Sequence, residues 1–456
     1  MLSTHLSSSP ARTAPERDRA RRLVDEMLRR AGSPAGGGDP TAAAARTVAT
    51  VEEAFELYEG RAVPDLPADR VFVVPSLISR HDPARGPEVH HLLPLLDPRY
   101  GVSASLGQHL IAALPPLILA SYGDHAGRRG VVLQAPVTAD LVTDLPPGAA
   151  ADRISDIVRE TIAFARKRFG ARVVGLGATL PAFTRFGRDA TPPGRNVPVV
   201  TSGHGGTIHL IRGLTHQVLE TTASGSGPVR IGVIGAAGSI GTSILTTLLS
   251  ELPDTGFLAC DRPTRLGRVD RVVRAAGAGA RTRVTADAGE VLRMCRVTVS
   301  AITESLDLEG LVPDADLSGH VLIDDSQPGC VDRDQWLRRG AHLLWPIGTT
   351  SPAPGPLHRR EGYRYGIGTG LLRSHDLWGC EAEAAALALS GDHGAALTGP
   401  VTPGAVARIG ALCDGIGIRP AEPQSQGRPT PADRGTAATA GGRTVPAAGP
   451  AAARTP

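Results

Sequence analysis

Two stretches of this chain have residue types and spacing that could do chemistry. The first runs Val229-Arg230-Ile231-Gly232-Val233-Ile234, then Gly235-Ala236-Ala237-Gly238-Ser239-Ile240-Gly241, then Thr242 to Leu249. A short apolar strand, a turn with glycines spaced GxxGxxG and a helix form the phosphate-binding unit of a dinucleotide fold. Gly235 permits the tight turn, Gly238 lets the backbone approach a pyrophosphate, and Gly241 lets helix and strand pack closely. The helix N-terminus adds N–H groups and a partial positive charge for phosphate. The second stretch is Ser374-His375-Asp376-Leu377-Trp378-Gly379-Cys380-Glu381-Ala382-Glu383, ahead of an alanine-rich run. Ser374 or Asp376 would cap a helix there and set Cys380 in its first turn, where the dipole favours thiolate over thiol. A thiolate is the nucleophile of thioester chemistry. Burial as a packing residue is the alternative.

These groups must be held by an α/β framework. A second strand, Gly256 to Cys260, ends at Asp261, about 20 residues past Gly241 as the dinucleotide fingerprint expects. Further strands are expected at 283–285, 296–301 and 320–324, so that Ala301 closes a strand beside the cofactor. Together with Gly235, Ala236, Gly238, Ser239, Ile240 and Gly241, the cofactor-binding set is completed by Asp261, Arg262 and Ala301. Asp261 would hold the ribose hydroxyls of NADH, whereas Arg262 would accept the 2′-phosphate of NADPH, and both cofactors stay open. The expected fold is a Rossmann-type doubly wound parallel sheet with an N-terminal α/β substrate domain and C-terminal helices.

The expected organisation is a flexible arm over 1–45 with a possible helix at 16–30, and a substrate domain over 46–200. The Rossmann domain follows over 201–350, then a helical segment carrying Cys380 over 351–420, and a disordered tail over 421–456. In the substrate domain, strands are expected at 70–75 and 130–133. A helix is expected at 152–169, where Ile154, Ile157, Val158, Ile162 and Ala165 recur at helical spacing.

Composition excludes several mechanisms. The net charge of +3, with no basic stripe interleaved with aromatics, gives no reason to expect nucleic acid. Five cysteines (Cys260, Cys295, Cys330, Cys380 and Cys413) lack CxxC spacing, which argues against a disulfide framework or a metal site. Free thiols without a signal peptide suggest a cytoplasmic protein. The apolar run 110–119 is too short to span a bilayer and is broken by Pro115-Pro116. Lys167 is the one lysine in the chain, so neither a P-loop nor a Tyr-x-x-x-Lys pair exists. Among the other thiols, Cys260, Cys295 and Cys413 read as packing residues. Cys330, in a loop after Pro328-Gly329, is a second candidate nucleophile.

Four stretches, in order, resemble the cyanobacterial-type long-chain acyl-[acyl carrier protein] reductases, which form fatty aldehydes. Leu176-Gly177-Ala178-Thr179 with Phe183-Thr184 resembles that family's Leu-Gly-Gly-Phe-Thr. Val200-Thr201-Ser202-Gly203-His204-Gly205-Gly206-Thr207 resembles its Thr-Thr-Gly-Asn-Thr-His-Thr. The glycine turn resembles its Val-Val-Gly-Ala-Thr-Gly-Asp-Ile-Gly. Gly379-Cys380-Glu381-Ala382-Glu383 resembles its Ala-Cys-Phe-Ala-Glu, whose cysteine is acylated. The match covers roughly 125–420. The chain departs from the pattern at Gly206, where the family has histidine, and at Asp261, where arginine is frequent. It departs again at Asp324-Asp325-Ser326-Gln327-Pro328, where the family has Asp-Gly-Gly-Tyr-Pro.

The resemblance implies that Cys380 takes an acyl group from acyl carrier protein or acyl-CoA, and that NADPH or NADH then reduces it to an aldehyde. A downstream aldehyde-consuming enzyme is an implied partner. His204 is the expected proton donor, and Thr201, Ser202 and Thr207 the expected oxyanion donors. The leucines at 92–96 and 117–119 would hold the acyl chain, and Arg359, Arg360 and Arg364 would meet an acidic carrier. Two rival readings stand: a dehydrogenase of a small amino or hydroxy acid without a covalent step, and a non-catalytic dinucleotide-binding scaffold.

Overall fold

A computed structural model describes residues 18, 22, 51–61, 67–76, 111–112, 114–123, 127–138, 141, 145–191, 197–222, 229–313, 315–326, 329–350, 358–361, 373, 375–425 and 428–429. The chain forms two six-stranded sheets, joined by helices that pack on both. The first contains β1 (Arg70–Pro75), β2 (Leu117–Gly123), β3 (Arg129–Ala135), β4 (Val173–Leu176) and β5 (Val199–Thr201), in the order β2-β3-β1-β4-β5, with 358–361 added beyond β2. β1 pairs parallel with β3 and β4, whereas β2 and β3 are antiparallel. Strand alternation sends successive side chains of β1 to opposite faces. Val71 and Val73 pack with Ile154, Ile157, Val158 and Ile162 of α1 (Pro147–Phe169). Phe72 and Val74 share the other core with Ala382, Ala384, Ala385 and Leu387.

α1 begins five residues before the predicted 152 because Pro147 occupies its first position, where a missing N–H costs nothing. It ends at Gly170, whose φ of 73° and N–H to Arg166 O close the last turn. The predicted helical face of Ile154, Ile157, Val158, Ile162 and Ala165 is buried, while Lys167 is exposed.

α2 (His204–Thr222) carries the chain from β5 into the second sheet. Ile208, Ile211, Leu214 and Val218 enter the core of that sheet, while Leu210 points into the core shared with the C-terminal helices. The second sheet contains β6 (Arg230–Ile234), β7 (Gly256–Cys260), β8 (Thr282–Thr285), β9 (Val297–Ser300), β10 (Val321–Asp324) and β11 (His342–Leu344). Its order is β11-β10-β9-β6-β7-β8, and every pairing is parallel. This is the doubly wound Rossmann arrangement. Strand order reverses between β6 and β9, which opens a crevice at their C-terminal ends. The helix after β6 is α3 (Ser239–Glu251), with Ile244, Leu245, Leu248 and Leu249 buried.

After β11 come β12 (Ile347–Thr349), then β13 (His358–Glu361), the strand beyond β2, and β14 (Asp376–Trp378). α4 (Gly379–Ser390) and α5 (Pro403–Gly415) follow. The alanines of α4 let it lie directly on the first sheet: a Cβ placed on Gly175 would be 2.7 Å from Ala384 Cβ. The disordered tail expected from 421 is corrected over 421–424. Ala421 is buried and donates to Ile347 O at 2.8 Å, and buried Gln424 donates to Asp376 at 3.1 Å, so these contacts hold the chain down through 424. Asp18 and Arg22 are helical and exposed. The rest of the N-terminal arm, Leu92–Leu96, Arg364 and residues 430–456 lie outside the described residues, as do the side chains of Arg359 and Arg360. No helix among the described residues is long and apolar enough to cross a membrane.

Candidate functional site

The glycine turn sits at the C-terminal end of β6. Gly235 leaves the strand with φ +84°, and a Cβ there would lie 2.5 Å from Ala301 O. Both facts demand glycine. Ala301 in turn donates to Ile234 O at 3.0 Å, so the end of β9 lies against the turn. Gly238 is the N-cap of α3, and a Cβ on Gly241 would be 2.0 Å from Gly235 O. Ser239, Ile240 and Gly241 open a 13-residue helix whose first N–H groups have no intrahelical acceptor. This cradle fits a pyrophosphate.

Asp261 follows β7 and is 9% exposed. Its Oδ2 accepts the Ala237 N–H at 2.7 Å and its Oδ1 the Arg262 N–H at 2.9 Å. A carboxylate oxygen has two lone pairs, so each retains capacity for a ribose hydroxyl. Arg262 is exposed and meets Glu304 at 3.4 Å. Such a pair contributes about 0–1 kcal/mol and would yield to a phosphate. The predicted cofactor residues therefore converge on the strand-order switch point.

Of the five cysteines, only Cys380 is not buried. α4 starts at Gly379, with Trp378 as N-cap and Cys380 as its second residue. Asp376 does not cap it. It lies in β14 and is paired with Arg373 at 2.9 Å, while Ser374 lies outside the described residues. The cap interaction comes from Glu381, which accepts the Trp378 N–H at 3.4 Å.

The first turn of α4 is wedged against the start of α2. A Cβ on Gly203 would lie 2.3 Å from Cys380 Cβ, and one on Gly206 would lie 2.2 Å from Gly379 O. Gly206 therefore has no room for the histidine of the resembled family. Glu383, one helical turn after Cys380 and 0% exposed, locks this contact. Its carboxylate accepts the Thr201 hydroxyl and, at 2.9 Å, the Gly206 N–H. Thr201 Oγ1 also accepts the Leu397 N–H at 3.0 Å. The Thr201 hydroxyl is thus committed to Glu383 and does not serve as the expected oxyanion donor. Burial pushes the Glu383 carboxyl up, opposed by these hydrogen bonds.

The expected thiolate at Cys380 is corrected. Burial pushes the thiol well above its ordinary range, and the charge of Asp325 pushes it further. Helix-terminus stabilisation is typically about 0.3–1 kcal/mol, whereas burial shifts a group by up to about 3–5 pKa units, so burial wins. Two groups favour the anion: the backbone N–H of Ala178, in the turn after β4, and that of Cys380 itself. Ala178 has φ +50°, a left-handed conformation that costs a side-chain-bearing residue about 1–2 kcal/mol and concentrates at functional sites.

His204, the first residue of α2, bridges to the cofactor cradle. Its Nδ1 lies 3.3 Å from Ser239 Oγ, and its ring packs edge-on against Phe186 at 5.5 Å. Burial lowers its pKa to about 4, so at neutral pH the ring is uncharged and carries no excess proton to donate. The second cysteine candidate, Cys330, is 0% exposed within the Rossmann core and its thiol is raised well above normal by burial. Its N–H donates to Asp324 at 2.8 Å, which is a structural contact. Cys260 and Cys295 are buried, with thiols pushed up to about 12, as packing residues should be. No cluster of metal-ligating side chains occurs among the described residues.

Sequence reasoning missed three residues here. Glu383 carried a signal, its spacing of three from Cys380, which puts both on one helical face. Ala178 and Asp325 carried none, because backbone strain and a charge acting through space are tertiary properties. Asp325 follows β10, and its N–H donates to Ser300 O at 3.0 Å. Burial, then the charge of Asp324, raise its carboxyl well above the usual carboxylate range.

No family model matches the chain, and no curated protein matches it. Similar solved structures include L-tryptophan dehydrogenase from Nostoc punctiforme, at 12% identity and TM-score 0.33, covering 78% of this chain and 83% of that one. A dipicolinate synthase chain from Bacillus halodurans is similar at 14% identity and TM-score 0.26, over 42% of this chain and 60% of that one. A Granulicella formate dehydrogenase is similar at 16% identity and TM-score 0.24, over 43% and 56%. The chain thus spans less than two thirds of the length of the last two, and at these identities what is shared is a distant likeness of fold.

Proposed function

We propose that this chain is a nicotinamide-dinucleotide-dependent reductase that takes an acyl group from acyl carrier protein or acyl-CoA onto Cys380 and releases it as an aldehyde. One observation carries this reading. Segments far apart in sequence are joined by a chain of contacts: the Ala178 turn and the Gly203–Thr207 segment against the first turn of α4, and His204 against the glycine turn. These are the four stretches that resemble the acyl-[acyl carrier protein] reductases. Here the one cysteine that is not fully buried sits on the same structural unit as His204, which touches the glycine turn.

Gly235 to Gly241 would hold the pyrophosphate, and Asp261 the adenosine ribose, with Arg262 available to a 2′-phosphate. NADH or NADPH, when bound, supplies the hydride. Cys380 supplies the nucleophile, and the Ala178 N–H stabilises its sulfur as charge develops. Neutral His204 orients Ser239 at the mouth of α3 and excludes water with Phe186.

The protonated resting state of Cys380 favours a second reading, a dehydrogenase of a small amino or hydroxy acid with direct hydride transfer. Intact-protein mass spectrometry after incubation with acyl thioesters of varied length, without cofactor, separates the two. The reductase reading expects a gain of one acyl group, absent in Cys380→Ala, which retains dinucleotide binding. An unmodified wild-type chain at every acyl length would sink it in favour of the non-covalent dehydrogenase.

A further inference from the structure

β12 lies between β14 and residues 419–420 in a small antiparallel sheet. Thr349 stands opposite Asp376, and Ile347 opposite Trp378. Alternation along the strands puts Thr349, Asp376 and Trp378 on one face, while Leu377 enters the core on the other. Gln424 joins the first face. Its Nε2 donates to Asp376 at 3.1 Å, and its backbone carbonyl accepts the Trp345 N–H at 2.9 Å. Trp345 packs on Trp378 with ring centroids 5.4 Å apart, so two of the chain's three tryptophans stand side by side here.

Two atoms of this face have no hydrogen-bond partner among the described residues: Thr349 Oγ1 and Gln424 Oε1. Both residues are nevertheless buried, at 8% and 2% exposure. A buried polar atom left unpaired is costly, so the pair calls for a ligand group. A hydroxyl satisfies both, donating to Oε1 and accepting from the Thr349 hydroxyl. An ammonium would find the Asp376 carboxylate already paired with Arg373 at 2.9 Å. The tryptophans beside these atoms offer flat apolar surface, and Trp378 is only half-buried.

We infer that this face binds the far end of the acyl group, and that the group is apolar with a hydroxyl at that end. The assignment rests on the acyl-thioester reading above. Trp378 is the N-cap of α4 and Cys380 its second residue, so the tryptophan pair directly precedes the nucleophile. At about 3.3 Å per strand residue and about 1.5 Å per helical residue, Asp376 lies roughly 10 Å from Cys380. That span sets the hydroxyl several carbons from the thioester. A plain saturated chain would cover the indoles and leave Thr349 and Gln424 unpaired.

Binding is read on Cys380→Ala, which cannot be acylated, through the emission of the tryptophan pair. Trp336, fully buried against His320 in the Rossmann core, gives a constant background. The probes are pantetheine thioesters in matched pairs: hexanoyl with its ω-hydroxy form, and phenylpropanoyl with its para-hydroxy form. The hydroxylated member of at least one pair should change the emission and bind at least about tenfold tighter than its partner. Adding Thr349→Val should remove most of that preference without lowering the urea midpoint, because Oγ1 makes no bond among the described residues. A purely structural Thr349 would shift the midpoint and leave the preference alone. Equal affinities within both pairs, or a preference undiminished by Thr349→Val, overturn the inference. The thioester reading survives that result if mass spectrometry finds an acyl adduct on the wild-type chain. Absence of an adduct from every probe overturns both.

Discussion

The two walls of the crevice are built in opposite ways. The cofactor cradle comes from one run of chain, Arg230 to Asp261, in which strand, turn, helix and second strand are consecutive. Its contacts are made by backbone N–H groups: Gly235 and Ala236 donate to Cys260 O at 2.9 and 3.0 Å, and Ala237 donates to the Asp261 carboxylate. The wall that carries Cys380 takes one piece each from the turn after β4, the start of α2 and the start of α4, spread from residue 176 to 383. Its contacts are side-chain clamps, with Glu383 at the centre. A cradle of the first kind tolerates change elsewhere in the chain. A wall of the second kind fails if any one piece shifts.

That contrast can be broken most directly at Gly206. Gly206→His, which restores the residue of the resembled family, should be the most damaging change, because its Cβ would strike Gly379 O and unseat Glu383. We expect a loss of about 3 kcal/mol or more in unfolding free energy, from overpacking and an unsatisfied buried carboxyl. Urea denaturation measures it, and a midpoint equal to wild type would show that the clamp is not what holds this wall.

A smaller effect is expected at Gly235→Ala. Left-handed backbone costs alanine about 1–2 kcal/mol, and the new methyl would meet Ala301 O. Dinucleotide affinity, followed by NADH fluorescence titration, should fall at least about tenfold, while the rate of Cys380 alkylation stays at the wild-type value. A change in alkylation without a change in affinity would mean that the two walls are not separable.

A third effect, read as a pH dependence, concerns His204, which ties one wall to the other. Its pKa is about 4 in the folded chain against 6.5 for the free group, so the unfolded chain binds the extra proton first. The stability tied to the neutral ring is present above about pH 6.5 and is lost as pH falls toward 4, on the order of 3 kcal/mol at most. His204→Gln should lose less stability than wild type between pH 7 and pH 4.5, as measured by urea unfolding. His320, also lowered to about 4 by burial, acts equally in both chains and cancels. Parallel losses in the two proteins would place the imidazole in contact with solvent.

Much of the fold was legible because its signals are local. The apolar spacing of α1, the strand before Gly235 and the aspartate after β7 each depend on neighbours within about 20 residues. The packing of 421–424 was not legible, because a Pro- and Ala-rich composition hides the contacts of Ala421 and Gln424 with partners far back in the chain. The placement of Cys380 in a first helical turn was legible, and its ionisation was not. The helix start is a local property, whereas the burial and the Asp325 charge that set the thiol come from β4, α2 and β10.

By itself, the sequence determined where strand, tight turn and helix meet in the second sheet, because a φ of +84° at Gly235 and close packing at Gly241 are demands that glycines spaced three apart announce. Only the tertiary structure decided that Thr201 is spent on Glu383, that Gly206 has no space for a side chain, that His204 is neutral and that the Cys380 thiol is held protonated. Desolvation and charge act through space, and no spacing along the chain encodes which charge will act on which sulfur.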